Sequence, residues 1–154
     1  MIRFAPFIAI IAVFAVGFAT HVFAQDKHDH GDGHKDTAAH FDKQTFATVK
    51  EAWAFITAKT SESETLLAEQ KLEDLHKVSE HFEGAVHTLE MKSDMVTGDS
   101  KAKLTSVLKQ LDKATDELHH ATEAKNAGAS SLAVKKIKGL LPLIETLYPA
   151  GALK

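Results

Sequence analysis

The chain has 154 residues, 44% of them hydrophobic and 25% charged, with a formal net charge of -3. That balance suits one globular domain with attached segments, and the mild charge without a basic stripe gives no footing for nucleic-acid binding. Cysteine is absent, which removes disulfides, thiolate metal sites, covalent c-type haem, cysteine nucleophiles and a lipobox lipid anchor together.

Residues 1–24 read as a secretory signal. Arg3 supplies the positive start, residues 4–19 are an unbroken non-polar run, and Val22-Phe23-Ala24 ends on the small residue a signal peptidase needs. Cleavage after Ala24 leaves Gln25 first in the mature chain. The run falls short of the roughly 20 residues that span a bilayer, so the mature protein is expected to have no membrane span. Export without cysteine suits a bacterial periplasm.

Residues 25–47 form the next segment, and its first part is almost free of apolar side chains. Such a stretch cannot bury enough surface to offset its chain entropy and is expected to be disordered. His28, His30, His34 and His40 alternate there with Asp26, Asp29, Asp32 and Asp36. Imidazoles at that density make a flexible chelator for zinc, copper or nickel. The alternative is a polar linker that keeps the new N-terminus accessible.

Periodicity then predicts an up-down-up-down four-helix bundle over residues 48–149, with 150–154 as a tail. The first helix opens at a capping box, Thr48 to Glu51, and turns Val49, Trp53, Ile56, Leu66 and Leu67 inward, while its polar middle, 57–65, carries little core. Trp53, the only tryptophan, reads as a core anchor.

The second helix, 72–95, has an apolar stripe of Leu72, Leu75, Ser79, Phe82, Val86 and Leu89. The third, 101–127, repeats it with Leu104, Leu108, Leu111, Thr115, Leu118 and Thr122, after an N-cap at Asp99 or Ser100. The fourth starts at a cap on Ser130 or Ser131 and buries Leu132, Ile137, Leu140, Leu141, Ile144 and Leu147. Gly139 and Pro142 predict a kink or local break in it, and Tyr148-Pro149 ends it.

A second pattern flanks the stripes of the two central helices. His76, Glu80, Glu83 and His87 form one line; Asp112, Asp116, His119 and Glu123 form its counterpart. Folding at the turn 97–100 places residues whose numbers sum to about 195 at one level. His76 then meets His119, Glu80 lies near Asp116, and Glu83 near Asp112. Two imidazoles with two carboxylates, His76, His119, Glu80 and Asp116, are a first shell for a divalent transition metal. The plainer alternative is a pair of solvated flanks laced by weak ion pairs.

Other chemistries fit less well. His87, Met91 and Met95 follow at four-residue steps and would suit Cu(I), against the reading that both methionines pack under the adjoining loop. Haem without cysteine needs inward His or Met on facing helices, and the first and fourth helices carry neither. A di-iron centre needs Glu-x-x-His pairs aimed inward; Glu73 to His76 and Glu117 to His120 match in letters but lie outside the stripes. No nucleophile elbow, phosphate loop or dinucleotide fingerprint occurs, so no catalytic residue is assigned and no enzyme activity is expected.

The signal segment, the His/Asp-rich stretch, the helix opening Thr48-Val49-Lys50-Glu51-Ala52-Trp53, the pairs Leu75-His76 and Leu118-His119, and the closing Lys138-Gly139-Leu140-Leu141 with Tyr148-Pro149 together resemble small periplasmic helical proteins associated with bacterial heavy-metal efflux systems. The resemblance implies a metal-handling accessory role beside an efflux component, and supplies neither a metal nor ligands. The expected function is therefore capture or buffering of copper, zinc or nickel in the periplasm. The alternatives are a structural or partner-binding bundle and a di-iron carboxylate enzyme.

Overall fold

In a computed structural model that describes residues 44–154, the chain becomes helical after Thr48. The Thr48 hydroxyl accepts from the Glu51 amide at 3.2 Å, and the Glu51 carboxylate accepts from the Ala47 amide at 2.9 Å. The pair closes the start of α1 as a capping box does, with the returning bond one residue earlier. Four helices follow: α1 Val49–Ala68, α2 Leu72–Lys92, α3 Gly98–Glu123 and α4 Ala127–Leu147. Consecutive helices pack on one another and α4 returns to α1, so the fold is an all-α four-helix bundle. No helix among the described residues is long and apolar enough to cross a membrane.

Ile56 of α1, Leu75, Phe82 and Leu89 of α2, Leu104, Leu111 and Leu118 of α3, and Ile137 and Ile144 of α4 form the centre, all fully buried. Burial of that apolar surface is the main term holding the helices together. The polar middle of α1 contributes more than its composition suggests. Thr60 and Ser63 are buried, and their hydroxyls donate to the carbonyls of Ile56 and Lys59, both at 2.7 Å. A small side chain whose hydroxyl is bonded within its own helix can face a core without an unmet polar group.

The helix ends depart most from the sequence expectation. α1 and α3 both finish on a residue with positive φ that is not glycine: Gln70 at 59° and Lys125 at 52°. The Gln70 and Lys71 amides reach back to the carbonyls of Leu67 and Leu66, at 3.1 and 2.9 Å. Those of Lys125 and Asn126 reach Thr122 and Ala121, at 2.9 and 2.8 Å. Both are Schellman closures, with the left-handed residue just past the cap. Asn126 then caps α4 through its side chain, which accepts from the Ala129 amide at 3.0 Å. Ser130 and Ser131 are therefore inside the helix, and Ser130 is buried with its hydroxyl on the Asn126 carbonyl at 2.8 Å.

Gly98, with φ of 60°, lets the chain turn directly into α3. Thr97 thus becomes the N-cap in place of Asp99 or Ser100. α4 runs without a break through Gly139 and Pro142 to Leu147, because packing on α3 and α1 outweighs the one donor that Pro142 lacks. Leu132 is 61% exposed rather than buried.

α2 stops at Lys92, three residues before the expected end. Ser93 there is buried: its hydroxyl bonds the Leu89 carbonyl and the Tyr148 hydroxyl, and its carbonyl accepts from Lys101 Nζ at 3.0 Å. Order also extends past both expected limits of the bundle. Phe46 packs on the core with its ring 5.0 Å from Phe55, and Lys92 Nζ donates to the carbonyls of Ala47 and Phe46 at 2.7 and 3.3 Å. A Cβ built on Gly84 would lie 2.0 Å from the Gln44 carbonyl oxygen, so only glycine admits this segment against α2. At the other end Leu153 is buried in the core.

Candidate metal centre

The turn between α2 and α3 sets the cross-helix level. A seven-residue step on a helix returns to within about 20° of its starting direction, so His76 and Glu83 stay in line on α2, and Asp112 and His119 on α3. The imidazole centroids of His76 and His119 are 5.0 Å apart with planes inclined at 38°. Glu83 bears on Asp112: burial raises the Asp112 pKa above the ordinary carboxylate value, and the charges of Asp116 and Glu83 raise it further.

Glu80, one turn beyond His76, completes a group. His76 is 8% exposed, Glu80 7%, and His119 half-buried. His76 Nε2 and Glu80 Oε1 stand 3.7 Å apart, and one ligand atom from each of the three residues lies within 4.8 Å of the others. A tetrahedral ion with bonds of about 2.0–2.2 Å holds its donors about 3.4 Å apart, so donor separations of up to 4.8 Å would have to close by as much as about 1.4 Å to enclose one.

Local bonds fix the flank of each helix. The Ser79 hydroxyl donates to the His76 carbonyl at 2.6 Å, and the Thr122 hydroxyl donates to the His119 carbonyl at 2.8 Å. The His119 pKa lies below the usual imidazole value. Burial is the largest cause and His76 and His120 add to it, against raising contributions from Glu80 and Glu123. A neutral imidazole is the form that binds metal. Two nitrogens and one carboxylate with a fourth position open form a donor set that zinc accepts, and that imidazole-binding copper and nickel accept too.

Asp116 does not join this group. Its Oδ1 lies 3.6 Å from His120 Nε2, with both side chains largely in solvent. Relative to His119, Asp116 is turned by about 60° around α3, away from α2. His120 and Glu123 instead form a second group with His119, again within 4.8 Å. His120 Nδ1 is 3.7 Å from Glu123 Oε2, and the His119 and His120 rings are 5.6 Å apart. The sequence reading left His120 out of the site; its spacing from Asp116 and Glu123, four residues back and three forward, was the signal for it.

The other candidates stand apart. His28, His30, His34 and His40 lie outside the described residues. Met91 and Met95 are exposed rather than packed under the loop, and His87 is exposed as well. Of the Glu-x-x-His pairs, Glu73 and His120 are exposed and Glu117 is paired with Lys136, while the bundle centre at those levels holds Leu75 and Leu118; among the described residues these pairs do not form the inward di-iron arrangement. No protein-family model, curated protein or solved structure matches the chain, so its own geometry is the ground on which the site is read.

Proposed function

We propose that this chain is an exported metal-binding accessory protein that captures or buffers copper, zinc or nickel and passes the ion to an acceptor such as an efflux component. The observation that carries this reading is the placement of His76, Glu80 and His119, three donors from two helices within 4.8 Å of one another on a half-sheltered face. Among the described residues this group has three protein donors, so an incoming ligand has a coordination position to take, which suits release to a partner more than permanent structural retention. The four histidines of the His/Asp-rich segment would raise the capture capacity without adding selectivity. No catalytic step enters the reading.

The test is titration of Zn(II), Cu(II) and Ni(II) into the metal-stripped chain carrying Ala at His28, His30, His34 and His40, so that binding reports the bundle. One ion per chain is expected. His76→Ala and His119→Ala should each weaken it by at least the roughly 10–100-fold that loss of a mere supporting partner costs a metal site, with helix content unchanged. Equal affinity in the parent and both variants would exclude the site.

A further inference from the structure

The two donor groups share His119, and their exposures differ sharply. His76 and Glu80 are buried, whereas the His120 side chain is 59% exposed and that of Glu123 52%. His119 is half-buried between them, its ring 5.0 Å from that of His76 and 5.6 Å from that of His120.

We propose that His120 and Glu123 form an outer loading position from which a divalent transition-metal ion moves to His76 and Glu80 without leaving His119. In the outer position an ion holds His119, His120 and the Glu123 carboxylate, with the Asp116 carboxylate on the far side of His120, where its charge attracts the cation. In the inner position the ion holds His119, His76 and Glu80. The transfer replaces one imidazole and one carboxylate by one imidazole and one carboxylate. Charge and donor number are therefore conserved, and no redox change or added ligand is needed. An ion that exchanges two donors while a third is retained never has to be stripped of all its protein ligands, so the retained His119 provides a stepwise path into a sheltered site. The adjacency of His119 and His120 makes that path possible. Successive residues on a helix point about 100° apart, enough for one to face α2 and the other solvent.

This rests on the reading of His76, Glu80 and His119 as a metal site, and the two can fail separately. The experiment uses the full chain with His28, His30, His34 and His40 changed to Ala, and Co(II) as the probe, its visible absorption reporting coordination in stopped flow. Association is measured on mixing with Co(II), dissociation on mixing the loaded protein with excess chelator. For an intermediate on the route in and out, His120→Ala and Glu123→Gln slow association and dissociation by the same factor, several-fold or more. The dissociation constant and the final spectrum stay those of the parent. Unchanged rates in both variants would overturn the loading position. So would a weakened dissociation constant with an altered spectrum, which would make His120 a ligand of the final site. If the parent itself binds no Co(II), the underlying metal-site reading fails instead.

Discussion

Asp112 shows how an acidic flank between two helices is strained by its own composition. Burial is the largest cause of its raised pKa, and the charges of Asp116, one turn along, and of Glu83, across the hairpin, add to it. A carboxyl whose pKa is higher in the fold than in the unfolded chain stabilises the fold most when protonated. That stability is present below the unfolded value of 3.8 and is lost as the pH rises through the folded value. At neutral pH Asp112 therefore works against the bundle. Asp112→Asn should raise the melting temperature at pH 7, and the gain should shrink toward nothing as the melts are taken below pH 4. A variant that melts with the parent at every pH would show that solvent screens this charge fully. At this same scale the sequence placed His76 opposite His119 and Glu83 opposite Asp112, because a seven-residue step keeps a helix direction and a short turn sets the level. It misplaced Asp116 because residues grouped on one line at steps of three and four still differ by tens of degrees. That difference carries Asp116 to His120 and solvent.

Among the elements, the helices themselves were legible because a buried stripe must recur at three- and four-residue steps, and the stripes of α2 and α3 do so nearly throughout. Some of their ends were legible too, Thr48 at the start of α1 and Tyr148 at the close of α4, but the others were not, because those caps depend on local bonds that composition does not reveal. Asn126 takes the cap of α4 ahead of two serines because it is also the residue that closes α3, leaving no room for a linker. Gln70 and Lys125 occupy left-handed positions usually given to glycine, and nothing in their identity announces it. Their side chains strain the backbone by about 1–2 kcal/mol each, whereas glycine adds chain entropy to the unfolded state worth about 0.5–1 kcal/mol. Gln70→Gly and Lys125→Gly should therefore each stabilise the bundle by a net ~0.5–1 kcal/mol in urea melts. Destabilisation by either would mean that its side chain makes contacts outweighing the strain.

For the molecule as a whole, the bundle's topology followed from four stripes and three short connections, while its extent did not. Phe46 and Leu153 lie beyond the expected bounds and pack on the core, large apolar residues in short non-helical segments that carry no periodic signal. The polar centre of α1 was undervalued for a related reason: Thr60 and Ser63 satisfy their hydroxyls inside the helix and so are free to be buried. The metal reading belongs to this scale as well, since α2 and α3 each supply donors and neither helix alone holds the set.

The Ser93 node, where the end of α2, the Tyr148 hydroxyl and Lys101 meet, joins the α2–α3 loop to the close of α4. Segments so joined should open to solvent as one cooperative unit, giving matched hydrogen-exchange rates to stretches 55 residues apart in sequence. Tyr148→Phe removes one hydrogen bond, worth about 1 kcal/mol. It should speed exchange at the Val96 amide, bonded to the Ser93 carbonyl, and at the Ala152 amide, bonded to that of Pro149, by a common factor while the centre of α3 keeps its protection. Acceleration confined to one of the two would show that the ends of the bundle breathe independently.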